Sequence, residues 1–253
     1  MKEGMVAEVI GVPGHNGDII EAYYARPVVD EPIPSVVVLH HAPGWDPWCK
    51  EAMRKLAANG YAAIGPHLYH RHGPGRWDDV AAAARGKGFG AAMPDQQVMA
   101  DIEGCLAFLR AQPYVNGKVG IIGFCSGGRQ AYMAACAIPS LNAAVDCWGG
   151  NVIPQPDPNR PGPTPAAIID QTKDMKVPLL GIFGNDDANP DREQVDKTEE
   201  TLKRLDKDYE FHRYDGAGHG FFAVDRPGYR PEQATDAWKH VFAFYDKHLK
   251  SAE

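Results

Sequence analysis

Apolar positions along this chain fall into two alternating rhythms. MVAEVIGV (5–12) and IEAYYARP (20–27) read as strands, and HNGD between them carries an Asn-Gly turn, so the two are expected to pair as a hairpin. Then come six short runs rich in β-branched and apolar residues: SVVVLHH (35–41), YAAIGP (61–66), KVGIIGF (118–124), AAVDCWG (143–149), PLLGIFG (178–184) and YEFHRYD (209–215). Unbroken apolar runs of this length suit strands buried on both faces. Between them lie segments at helical spacing: 49–60, 94–112, 128–137, 191–205 and 231–249. In 94–112, for example, Val98, Ile102, Cys105, Leu106 and Leu109 share one face. Strand and helix alternate, which predicts an α/β fold with a mostly parallel sheet and helices on both faces.

Two stretches do not follow the rhythm. Residues 71–90 mix alanines with several glycines. Residues 151–167, NVIPQPDPNRPGPTPAA, form a proline-rich loop after a strand end, where α/β proteins keep their sites. Both a plain connector and a contributor to the site entrance are open readings of that loop. Neither a repeat nor an interdomain linker is visible, so 1–253 is expected to form one domain with its hairpin at about 5–27.

Composition narrows the function classes. Lys and Arg number 26 against 33 Asp and Glu, a net charge of −7 without a basic block, which argues against a nucleic-acid partner. The N-terminus lacks a signal-peptide pattern, and no apolar run approaches the roughly 18 residues that span a bilayer. Five cysteines without regular spacing argue against a disulfide framework. The expectation is a reduced, cytoplasmic protein, monomer or homodimer, with no membrane partner.

Candidate chemistry begins at GFCSGG (123–128), the spacing of a nucleophile elbow with cysteine at its centre. A strand precedes it and a helix follows. Gly123 and Gly127 remove side chains that would crowd the turn, and the helix N-terminus favours a thiolate on Cys125. Cys105, Cys136 and Cys147 fall within apolar patterns and read as core. A cysteine nucleophile needs a base, and the base an orienting acid, in the chain order nucleophile, acid, base. GIFGNDDANP (181–190) offers Asp186 and Asp187 beyond a strand, and GAGHGF (216–221) offers His219 after the last strand. The loop HHAPG (40–44) is placed to supply an oxyanion-hole N–H from Ala42, with Ser126 supplying the other. His67, His70 and His72 in HLYHRH read as a polar loop, because no second ligand cluster with clear spacing accompanies them. No metal or cofactor is expected.

These motifs resemble the dienelactone hydrolases (carboxymethylenebutenolidases), a branch of the α/β-hydrolase superfamily. The resemblance runs from about Ser35 to Leu249 and rests on ANGYAAIGPHLYHR (58–71), NGKVGIIGFCSGGR (116–129), GNDDANP (184–190) and AGHGF (217–221). It implies a Cys125–His219–Asp187 triad, Asp187 being chosen over Asp186 by the G-x-x-D-x-x-P pattern. It also implies cleavage of a small ester or lactone through a thioester, the usual substrate being a dienelactone from catechol degradation. Two positions depart from the family. His41 stands where a glutamate modulates the nucleophile, and Ala223 where an arginine binds the substrate carboxylate. Arg226 and Arg85 are the nearest replacements, and Trp45 is a further candidate for lining the pocket. Acyl transfer, another reaction of this fold, or a non-catalytic ligand-binding or redox-sensing role of Cys125 are the alternatives.

Overall fold

The computed structural model describes residues 4–154 and 165–250, which divide into two compact units, 4–120 and the remainder. In the first unit β1 (Gly4–Pro13) and β2 (Ile19–Val28) form the expected antiparallel hairpin. Asn16 and Gly17 both take positive φ at its turn (56° and 79°), the conformation that makes Asn-Gly a hairpin signal. The next strand, β3 (Ile33–Leu39), is buried along its whole length and pairs in parallel with β4 (Ala62–Pro66). β4 in turn pairs antiparallel with β2, so the order within this unit is β1-β2-β4-β3.

Between β3 and β4 runs α1 (Pro47–Ala58). Asp46 caps it by accepting the Cys49 N–H at 2.8 Å, proline opens it, and Asn59-Gly60 ends it. Its buried face includes Trp48, Cys49, Met53 and Leu56. The irregular stretch 71–90 contains α2 (Trp77–Lys87), which buries Val80, Ala81 and Ala84, and the start of the short α3 (Phe89–Ala92). α4 (Asp95–Arg110) then buries the apolar face read from the sequence.

β5 (Val115–Phe124) carries the chain from the first unit into the second. There α5 (Ser126–Ala137), β6 (Ala143–Cys147), β7 (Leu179–Gly184), α6 (Arg192–Arg204), β8 (Tyr209–Tyr214) and α7 (Pro231–Leu249) follow in turn. β6, β7 and β8 pair in parallel, with α5 packed against β6 and α7 against β6 and β7. A capping box at Asp191 and Gln194 starts α6. The proline-rich stretch lies mostly outside the described residues. Its end, from residue 165, leads into a 3-10 helix over Ile169–Asp174 that the sequence pattern did not announce. No helix among the described residues is long and apolar enough to cross a membrane.

Candidate active site

Cys125 sits alone in the turn between β5 and α5, at φ 56° and ψ −117°. A non-glycine residue takes this conformation only where its surroundings enforce it, and such strain clusters at functional sites. Three features enforce it here. The Cys125 N–H donates to the Cys147 carbonyl of β6 at 3.0 Å. Its own carbonyl accepts the Gly128 N–H at 2.9 Å, committing the next residues to helix. A Cβ on Gly123 would fall 1.9 Å from the Gly127 carbonyl oxygen, so only glycine allows so close a crossing. The thiol therefore projects from the N-terminus of α5, whose first N–H groups lack intrahelical acceptors and stabilise negative charge. Ser126, the first residue of that helix, carries one of these N–H groups.

Asp187 and His219, the expected acid and base, lie in the loops after β7 and β8. Asp187 is buried, and its Oδ2 accepts the His219 Nδ1–H at 2.8 Å. Its Oδ1 accepts the Asn189 N–H at 2.9 Å, which fixes the carboxylate plane. Asp186 points elsewhere, toward Arg192 on the surface at 3.9 Å. Its backbone N–H instead donates to the Ala217 carbonyl at 2.9 Å, tying the acid loop to the base loop. His219 also hydrogen-bonds Cys125. Burial opposes charge on its ring, but the hydrogen bonds to Asp187 and Cys125 and their negative charge outweigh it, and its pKa is raised to about 10. Cys125, His219 and Asp187 thus form one hydrogen-bonded chain, in the order expected from the sequence.

The other cysteines differ in kind. Burial pushes the thiols of Cys49, Cys105, Cys136 and Cys147 well up, which keeps them protonated, whereas Cys125 is partly exposed. Two residues near the elbow were not singled out from the sequence. Trp148, just past β6, has positive φ (43°) and turns its ring edge-to-face toward His219 at 6.5 Å. Asp146 is buried in β6 and accepts the Gly149 N–H at 2.7 Å, and burial raises its carboxyl to about 7. The signal for both was present in AAVDCWGG, where an acid inside an apolar strand needs a partner and paired glycines mark close packing.

The remaining candidates except Arg226 belong to the first unit. His41 is buried beyond the end of β3, and its Nε2 is 2.8 Å from Asp46 Oδ2, so the residue that caps α1 also holds this ring. The sequence reading missed Asp46 as the partner of His41. The Ala42 carbonyl accepts hydrogen bonds from the Tyr69 hydroxyl at 3.1 Å and from Arg85 at 3.2 Å. Trp45 is buried, with the ring of His67 stacked on it at 4.9 Å and Lys50 over it at 4.5 Å. In the second unit, Arg226 is exposed in the loop beyond His219.

A strand, a strained nucleophile turn and a helix, followed by an acid and a base after successive parallel strands, define an α/β hydrolase. Comparison with known proteins narrows this further. Residues 20–249 match the model of the dienelactone hydrolase family, and the chain belongs to that family. An Escherichia coli (strain K12) protein named "Putative carboxymethylenebutenolidase" is 32% identical over 248 residues, covering 97% of this chain and 89% of that one. A Bradyrhizobium protein named "Probable 2-oxo-3-(5-oxofuran-2-ylidene)propanoate lactonase" is 29% identical, covering 93% and 92%. Among solved structures, a "Putative Dienelactone Hydrolase" from Klebsiella pneumoniae superposes with a TM-score of 0.82 at 28% identity, covering 97% of this chain and all of the other. The protein is a carboxylic-ester hydrolase acting on lactone or ester bonds.

Proposed function

We propose that the protein cleaves a small ester or lactone of the dienelactone type through a thioester on Cys125. The carrying observation is the hydrogen-bonded chain from Asp187 to His219 to Cys125, with the thiol on a strained turn at a helix N-terminus. The resting nucleophile is a thiolate paired with the His219 imidazolium. It attacks the substrate carbonyl, and the negative charge that develops on oxygen falls to the Ser126 N–H at the start of α5. His219 gives its proton to the departing alkoxide or enolate. In the second half, neutral His219 takes a proton from water, which attacks the thioester and regenerates the thiolate. Asp187 holds the ring in the tautomer both steps need and stabilises its charge. Relatives are named for lactones that carry a carboxylate. Arg226, in the loop beyond His219, is the arginine we assign to binding such a group in place of the one replaced by Ala223.

Hydrolysis of p-nitrophenyl acetate and of a carboxylate-bearing lactone tests this reading. Cys125→Ala is expected to lower both rates by about three orders of magnitude or more, the scale on which triad members act. Activity close to wild type in that variant would remove Cys125 from the mechanism.

A further inference from the structure

We propose that Glu21, His67 and His70 form a binding site for a divalent transition metal such as Zn²⁺, in the first unit and apart from the triad. In the sequence no second ligand cluster with clear spacing accompanied the HLYHRH histidines. Glu21 lies far upstream on β2, and the pairing of β2 with β4 brings it alongside. The His67 N–H donates to the Glu21 carbonyl at 2.8 Å, continuing that ladder one residue past β4. The chain then turns at once, the His70 N–H donating to the His67 carbonyl at 2.8 Å, which returns the His70 ring to the same place.

The donor atoms converge. One from each residue lies within 4.8 Å of the other two. Glu21 Oε2 is 3.6 Å from His67 Nδ1 and 3.8 Å from His70 Nδ1. Metal–nitrogen bonds of about 2.0–2.1 Å at tetrahedral angles put neighbouring donors about 3.3–3.4 Å apart. Glu21 Oε2 needs to close on each imidazole nitrogen by only a few tenths of an ångström. His70 Nδ1 accepts a long hydrogen bond from the Glu21 N–H at 3.4 Å, which a metal on that lone pair would replace.

An independent observation points to a ligand. His67 is 6% exposed, and among the described residues neither ring nitrogen has a partner within ordinary hydrogen-bond distance, Glu21 Oε2 lying 3.6 Å from Nδ1. Burying an imidazole with both nitrogens unsatisfied is costly, and such groups call for an explanation such as an ion. The Trp45 ring stacked on His67 (5° between planes) fixes the orientation of this donor. Glu21 and His70 are more exposed, with side chains 54% and 33% accessible, so they can adjust and admit a cation from solvent. Two imidazoles and one carboxylate suit Zn²⁺, Co²⁺ or Ni²⁺ rather than Mg²⁺ or Ca²⁺, and leave a coordination position for water.

A second cluster, Glu210, His212 and His240, serves as the control. There the two rings stack on each other at 3.6 Å, and Glu210 already hydrogen-bonds His212. Co²⁺ titrated into chelator-treated protein should give visible d–d bands that saturate at one equivalent and disappear on adding Zn²⁺. Zn²⁺ should raise the thermal midpoint, because a ligand that binds the native state stabilises it. Glu21→Gln and His70→Ala, both at accessible side chains, should each weaken binding by more than about 100-fold, since even an outer-shell partner is worth 10- to 100-fold. His240→Ala should bind as wild type does. The proposal is overturned if wild-type protein shows no stoichiometric binding, or if binding survives Glu21→Gln and His70→Ala but fails in His240→Ala or Cys125→Ala.

Discussion

At the scale of single residues, His219 is the group on which the proposed chemistry turns. Its ring is partly exposed and loses some hydration, which alone would lower its pKa, yet its bonds to Asp187 and Cys125 raise it to about 10. The folded pKa lies above the ordinary value near 6.5. The stabilisation from this charge is therefore complete below about pH 6.5 and is lost as pH rises through about 10. In the mechanism we propose, the same charge holds Cys125 as a thiolate at a pH where an ordinary thiol, with its pKa near 8.5, is protonated. Alkylation by iodoacetamide at pH 6.5, read as a rate, should slow by about tenfold or more in His219→Ala, the fall in thiolate fraction expected when the thiol returns to that ordinary value. Equal rates would show that the imidazolium does not hold the thiolate. The four buried cysteines should stay unmodified in the folded protein. Much of this was legible from residue order: Cys125, an Asp-Asp pair and His219 each follow a strand-like run. The choice of Asp187 over Asp186 rested on a family pattern; in the fold Asp187 hydrogen-bonds His219, while Asp186 lies near Arg192. The Asp46 partner of His41 was not legible, because DPW reads first as a helix start.

Elements place these residues, and β6 shows how. Asp146 lies inside an apolar strand, and its Oδ1 accepts the Gly149 N–H. A Cβ on Gly128 in the first turn of α5 would come 2.4 Å from the same oxygen, so the strand and the nucleophile helix pack in close contact there. Burial raises the Asp146 carboxyl from 3.8 to about 7. The native state thus keeps this proton where the unfolded chain has lost it, so stability falls as pH rises from about 4 to about 7. The penalty from this one group is of order 4 kcal/mol, three pH units at about 1.4 kcal/mol each. Asp146→Asn retains an acceptor for Gly149 and cannot ionise. Urea unfolding at pH 4.5 and pH 8 should show the variant gaining several kcal/mol relative to wild type at the higher pH. A pH-independent difference between the two proteins would mean that Asp146 does not titrate in this range. The strands themselves were legible because each is a short apolar run. α2 was obscured by the glycines on either side of its alanines, and the 3-10 helix over Ile169–Asp174 has no periodicity long enough to register.

For the molecule as a whole, alternation of strand and helix was enough to indicate the α/β class, because parallel strands need crossovers and the spacing of the helices supplies them. Pairings distant in sequence were not legible. β2 joins β4, and only that pairing sets Glu21 beside His67 and His70. Membership of the dienelactone hydrolase family makes the protein a carboxylic-ester hydrolase, and our central claim is that Cys125 carries the acyl group. Rapid acid quenching of the protein during turnover of p-nitrophenyl acetate, followed by mass spectrometry of its peptides, tests that claim most directly. One added acetyl group on the peptide containing Cys125, absent in Cys125→Ala, is the predicted result. An acetyl group on Ser126 in a Cys125→Ala variant that still turns over, or steady hydrolysis with no acylated peptide at any quench time, would contradict it.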